Sequence, residues 1–247
     1  TALDLIHVVD AHPSELEEGM RHARRIIHDG WSAVTAQVAG VKVESEILRG
    51  DPVAELVHAA RRTTLMCLGH KGTDDSVPKR RGSTAMAVAL TAPSPVAVVR
   101  RQHDGPPCSH RWIVAVLDES SESEHVLETA FDEAVLRRAP VLALTTWSTA
   151  VRHGGSHTRG ALPDLRTQLA RYRADRDDDA AGIQLCALPL PDDLTAVLEE
   201  SASIEQLFVV GAGRRRNVDQ LLSRRARRAL RGTNCSILVQ RVHEPVG

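Results

Sequence analysis

Three glycines and a serine stand where they could hold an anion. The run Gly69-His70-Lys71-Gly72 is followed by nine residues and then by Gly82-Ser83-Thr84, the pattern G-x2-G-x9-G-S. Glycines let backbone N–H groups approach a phosphate with no Cβ in the way. A helix opening at Ser83 would add free N–H groups and the positive end of its dipole. Ser83 and Thr84 bring hydroxyl donors, and Lys71, Lys79, Arg80 and Arg81 bring positive charge. Lys71 is a candidate phosphate contact. The competing reading is a glycine turn followed by a serine-capped helix.

A motif of this kind works only between a strand and a helix. Leu65 to Leu68 is a short apolar run that reads as a buried strand. Ser83 to Leu90 reads as a helix, ended before Pro93. Val96 to Val99 is a further strand. Upstream, Leu3 to Val9 reads as a strand, Glu15 to Ala39 as a long helix and Val41 to Leu48 as an alternating strand. Val53, Leu56, Val57 and Ala60 recur at i, i+3, i+4 and i+7, the signature of an amphipathic helix. Strands alternating with helices imply a parallel sheet covered on both faces.

The same series recurs. Val41 to Leu48 is matched by Ile183 to Leu190, and Leu65 to Gly69 by Leu207 to Gly211, both 142 positions later. Pro95 to Arg100 is matched by Ser236 to Arg241 at nearly the same offset. Two copies of one unit therefore meet near His103 to His110, where glycine and paired proline break structure. The first domain is read as residues 1–102 and the second as 111–247. The second copy opens with a strand, Trp112 to Asp118, and a helix from Ser123 to Arg138. Its next strand, Pro140 to Trp147, matches Leu3 to Val9. The first copy thus begins at its second strand, and roughly 25–30 residues are expected to be missing ahead of Thr1. In a doubly wound sheet the first strand is central, and without it the sheet would have a gap with unpaired backbone groups on both sides, so omitted residues are expected rather than a protein without the strand.

Composition narrows the function. Aromatic residues are 2% of the chain, too few for stacking platforms that bind single-stranded nucleic acid. A net charge of −1 argues against duplex binding through a basic surface. No apolar run approaches membrane-spanning length, and Thr1 to Asp4 does not open a signal peptide. Cys67, Cys108, Cys186 and Cys235 are widely spaced and read as reduced thiols, Cys67 within the core. No HExxH motif or zinc-like spacing occurs, so no metal site is expected.

With these residues in view, the chain resembles the universal stress protein family in its tandem-domain form. The marks are Gly69-x2-Gly72-x9-Gly82-Ser83, the strand Leu5 to Asp10, Cys67-Leu68-Gly69 leading into the motif, and the final strand Pro95 to Arg100. The likeness is weakest between Thr149 and Ala180. It implies an α/β protein of two tandem, doubly wound, five-stranded parallel-sheet domains of Rossmann-like type, domain one lacking its first strand. It implies a cytoplasmic, nucleotide-dependent regulator of stress or dormancy that binds ATP, with or without Mg²⁺, in domain one. By position, Val8 would contact the nucleoside, and Leu68 and Gly69 would lie beside the adenosine. Gly72, Gly82, Ser83 and Thr84 would hold the phosphates. Partners are ATP and an unidentified protein. The rival readings are an interaction scaffold that has lost nucleotide binding and a weak ATPase. For the last, Asp74 and Asp75 lie in the loop, but spacing gives them no catalytic role, and neither GxSxG nor HxGH occurs.

The second copy departs from the motif. Gly69 maps to Gly211, but Gly72 maps to Arg214, and Gly82 and Ser83 map to Arg224 and Arg225. Side chains at those glycine positions should crowd a phosphate, so copy two is expected not to bind ATP in the family manner. Eight arginines crowd Arg214 to Arg231, with Asp219 the one acid, and read as a solvated helix face. Asp175 to Asp179 reads as solvated acid at a helix end or in a loop. The apolar strands Val96 to Val99 and Ile237 to Val239 are expected to lie against each other, within one chain or across a homodimer, since exposed edges invite pairing.

Overall fold

The computed structural model describes residues 2–10, 16–69, 83–99, 111–117, 122–145, 158–174, 182–189, 193–200, 205–213, 215–223, 225–226 and 235–241. These residues form two compact units, Thr1–Thr63 and Thr64–Gly247.

In unit one, β1 (Ala2–Val9) pairs in parallel with β2 (Lys42–Arg49), from Ala2 opposite Lys42 to Val9 opposite Arg49. The link is α1 (Leu16–Gln37), which packs on β1 and buries Ala23. Gly19 allows that approach, since a Cβ there would stand 2.8 Å from Val9 Cγ1. Gly50, at φ +150°, turns the chain out of β2, and its N–H donates to the Val9 carbonyl at 3.1 Å. Next comes α2 (Pro52–Ala60), capped by the Asp51 carboxylate, which accepts from the Ala54 N–H at 2.8 Å. Pro52 follows the cap, where its missing N–H costs nothing. Asp51→Ala should lower stability by about 1 kcal/mol in urea unfolding, the usual loss for a cap.

A histidine pair sits between β1 and α1. The rings of His7 and His22 meet edge to face at 6.3 Å, and Arg25 Nη2 lies 3.0 Å from His22 Nδ1. Burial, aided by His22, holds His7 below its ordinary pKa of 6.5. Between the lowered value and 6.5 the unfolded chain binds more protons than the folded one. The His7 contribution is therefore complete above pH 6.5 and declines as pH falls below it. Urea midpoints at successive pH values should show that decline, and His7→Gln should flatten it.

Unit two holds a seven-stranded sheet. Its strands are β3 (Met66–Gly69), β4 (Val96–Val99), β5 (Arg111–Leu117), β6 (Val141–Thr145), β7 (Leu185–Pro189), β8 (Glu205–Gly211) and β9 (Ser236–Gln240). The order is β3-β4-β9-β8-β5-β6-β7. Every pairing is parallel except that of β4 with β9. The helices are α3 (Ser83–Thr91), α4 (Glu122–Arg137), α5 (Thr158–Ala174), α6 (Leu194–Glu200) and α7 (Arg215–Leu222).

Strands β5 to β9 make the expected five-stranded parallel sheet, and the first of them, β5, lies between β8 and β6. One face buries Ile113, Ala143, Val209 and Leu238 against Phe131 of α4 and Tyr172 of α5. The Phe131 and Tyr172 rings are 4.9 Å apart, and the Tyr172 hydroxyl donates to Asp132 at 2.7 Å. Alternation sends Val114, Phe208, Val210 and Ile237 to the opposite face, and all four are buried.

The first copy has four strands, as expected, and they do not form one sheet. Among the described residues β1 pairs with β2 alone, and β3 is tied to the seven-stranded sheet through β4. The reason is the strand order of the second copy: the counterpart of β5 would be the bridge, and the described residues contain none. The apolar strands expected to meet do meet, within the chain: Val96, Ala97 and Val98 lie opposite Val239, Leu238 and Ile237. Cys67 departs from expectation. It lies on β3, which among the described residues has β4 as its one neighbouring strand, and it is exposed, although burial pushes the thiol pKa up. Cys67, Cys186 and Cys235 form no disulfide among the described residues, and Cys108 falls outside them. Among the described residues no helix is long and apolar enough to cross a membrane, and no three His, Cys, Asp or Glu side chains gather as a metal site.

Candidate functional site

The glycine motif hangs between β3 and α3. Met66, Val96 and Val98 are buried where β3 lies beside β4, and Leu68 and Gly69 face Val98 and Val99 in register. Strand β3 ends at Gly69, which is exposed, with Leu68 half-buried before it. Helix α3 opens at Ser83, with Thr84 half-buried in its first turn. The helix is held by Ala85, Val88 and Ala89, and Ala92 follows it, all four buried. In a parallel strand–helix–strand unit the helix starts on the side where the strands end, which is where such sheets take ligands. The first turn of α3 contains no acidic residue, so no carboxylate there opposes an anion at its N-terminus.

Gly72 and Gly82 lie outside the described residues, as do Lys71, Asp74, Asp75, Lys79, Arg80 and Arg81. Val8 lies on β1 of unit one and is half-buried. Asp118, at the end of the second copy's first strand, and the run Asp175 to Asp179 are likewise outside the described residues.

In the second copy a helix occupies the corresponding place. Offset by 142, the segment between Gly69 and Ser83 corresponds to residues 212–224. There the chain forms α7 only four residues beyond Gly211. Val218, Leu221 and Leu222 recur at i, i+3 and i+4 and are buried, and α7 packs on β8. That spacing was the available sign of a helix. The arginine-rich stretch therefore does contain a helix, and two further contacts fix its end. Arg225 pairs with Asp193 at 2.8 Å, and the Ser223 hydroxyl accepts from the Ala226 N–H at 3.0 Å. Asp193 is held below the usual carboxylate range, first by the Thr195 N–H and then by Arg225. Arg214 and Arg224 lie outside the described residues.

Comparison with known proteins agrees with this architecture. The family model described as the universal stress protein family matches residues 1–100 and 110–241. The chain is 31% identical over 257 aligned residues to the universal stress protein Rv2624c of Mycobacterium tuberculosis, covering 97% of this chain and 85% of that one. It is 30% identical to Rv2028c, another universal stress protein of that organism, over 88% of this chain and 75% of the relative. Among solved structures, a universal stress protein from Archaeoglobus fulgidus superposes with a TM-score of 0.67 at 17% identity, covering 98% of this chain and 86% of that one. At that identity the likeness speaks for the fold.

Proposed function

The chain belongs to the universal stress protein family, and from that premise we propose that it is an ATP-binding regulator of stress or dormancy. In this reading domain one, residues 1–102, holds the nucleotide. Domain two, residues 111–247, is its structural partner. The phosphates are held by Gly72, Gly82, Ser83 and Thr84, with Leu68 and Gly69 toward the nucleoside. The protein acts in the cytoplasm, and occupancy changes which protein it engages.

One observation carries the reading: a strand ending at Gly69 and a helix opening at Ser83 bracket the motif, with no acid in the helix's first turn. Backbone N–H groups and a helix dipole are what a polyphosphate needs. Arginine or lysine beyond them would add affinity by charge. Mass spectrometry of the ligand released from the purified full-length chain tests the proposal. ATP in the released fraction supports it. An empty protein whose melting temperature ignores added ATP favours the interaction scaffold. Steady release of ADP would make it an ATPase.

A further inference from the structure

The turn after β8 carries an anion already, and the chain supplies it. The Gly213 N–H donates to Glu122 Oε2 at 2.7 Å, across 91 residues of sequence. Glu122 opens α4, just beyond the second copy's first strand. The same carboxylate fills the space that two glycines leave. A Cβ on Gly211 would lie 2.6 Å from Glu122 Oε2, and one on Gly213 would lie 2.8 Å from Oε2 and 2.9 Å from Cδ. Neither glycine is kept for a left-handed backbone, since neither has a positive φ. They are kept for room, and the occupant of the room is a carboxylate. Arg241 lies within electrostatic reach of it. Its guanidinium donates to the Leu90 carbonyl and feels the charge of Glu122, which opposes the loss of its own proton on burial.

We propose that Glu122 is a built-in anion that keeps the turn at Gly211–Gly213 closed to phosphate. The inference rests on the repeat, which equates Gly211 with Gly69, but not on ATP binding by domain one. A carboxylate and a phosphate compete for the same N–H groups. The carboxylate is tethered, so its effective concentration at the turn exceeds that of any free anion. The second copy is thus closed twice, by a helix where the phosphate loop would run and by an acid on the turn that starts at Gly211, the one motif glycine it keeps.

The test uses the full chain labelled with ¹⁵N-glycine, with inorganic phosphate as the probe. The Gly213 amide resonance of the wild type should not move. In Glu122→Ala it should move saturably, with apparent affinity about tenfold or more above the wild type. Glu122→Gln keeps an acceptor without the charge and should respond between the two. A flat Gly213 response in Glu122→Ala overturns the proposal, as does a wild type that responds equally. Should Glu122→Ala lose the native spectrum, Glu122→Gln decides: a response above wild type supports the proposal, and a flat one overturns it. Neither outcome depends on whether domain one binds ATP.

Discussion

Gly82→Arg should remove ATP binding from the full-length chain while leaving its melting temperature without ligand nearly unchanged. Gly82 immediately precedes Ser83, the first residue of α3. In the proposed site its backbone lies against a phosphate, and the side chain would stand where the ligand must be. Charge works the other way, since a guanidinium attracts phosphate. The steric term should win, because attraction cannot act on a ligand that has no room. Losing two charge-assisted hydrogen bonds at about 1.5–3 kcal/mol each corresponds to a loss of about 100-fold or more in affinity. Calorimetric titration of both proteins measures this, and ATP released from the wild type but not the variant confirms it. Retention of wild-type affinity would place the nucleotide elsewhere. The second copy supplies the parallel within the same chain, with Arg224 at the position that matches Gly82.

The strands were the most legible part of the sequence. Val96 to Val99 is found at its expected limits, and β5, β8 and β9 lie within one or two residues of theirs. Short apolar runs between glycine and proline are local signals, and burial on both faces leaves them little alternative. The meeting of β4 with β9 could also be anticipated, because an apolar edge must be covered. Elements that depend on a partner were harder to see. In the arginine-rich stretch, which reads as a solvated helix face, the buried side of α7 is marked only by Val218, Leu221 and Leu222. Helix α5 lies where the likeness is weakest, and its buried Leu169 and Tyr172 are visible only once α4 supplies Phe131 and Asp132. Cys67 reads as core because its neighbours are apolar, yet among the described residues β3 has a neighbouring strand on one side only. Glu122 could not be read at all, since its partner Gly213 is 91 residues away.

Val98→Asp should be the most damaging single change at the seam between the copies. Val98 is 3% exposed and lies opposite Ile237, itself 1% exposed. A carboxylate there has no cation to pair with among those neighbours, and an uncompensated buried charge costs about 3–5 kcal/mol. Against a total stability of about 5–15 kcal/mol, that is enough to release the edge of the sheet. The damage should be local. Strands β5, β6 and β8 keep the core around Ile113, Phe131, Ala143 and Val209, to which Val98 does not belong. Hydrogen exchange should therefore rise sharply in peptides covering Met66–Gly69 and Val96–Val99 and little in those covering Ile113–Leu117 and Val141–Thr145. Equal loss of protection throughout would mean that the second copy has no core of its own. A local loss has a functional consequence. Among the described residues β3 pairs with β4 alone, and β4 is held by β9. The end of β3 at Gly69 is thus anchored to the second copy through β4 and β9. The second copy thus has a structural task in the chain, because it fixes the strand from which the first copy's motif begins.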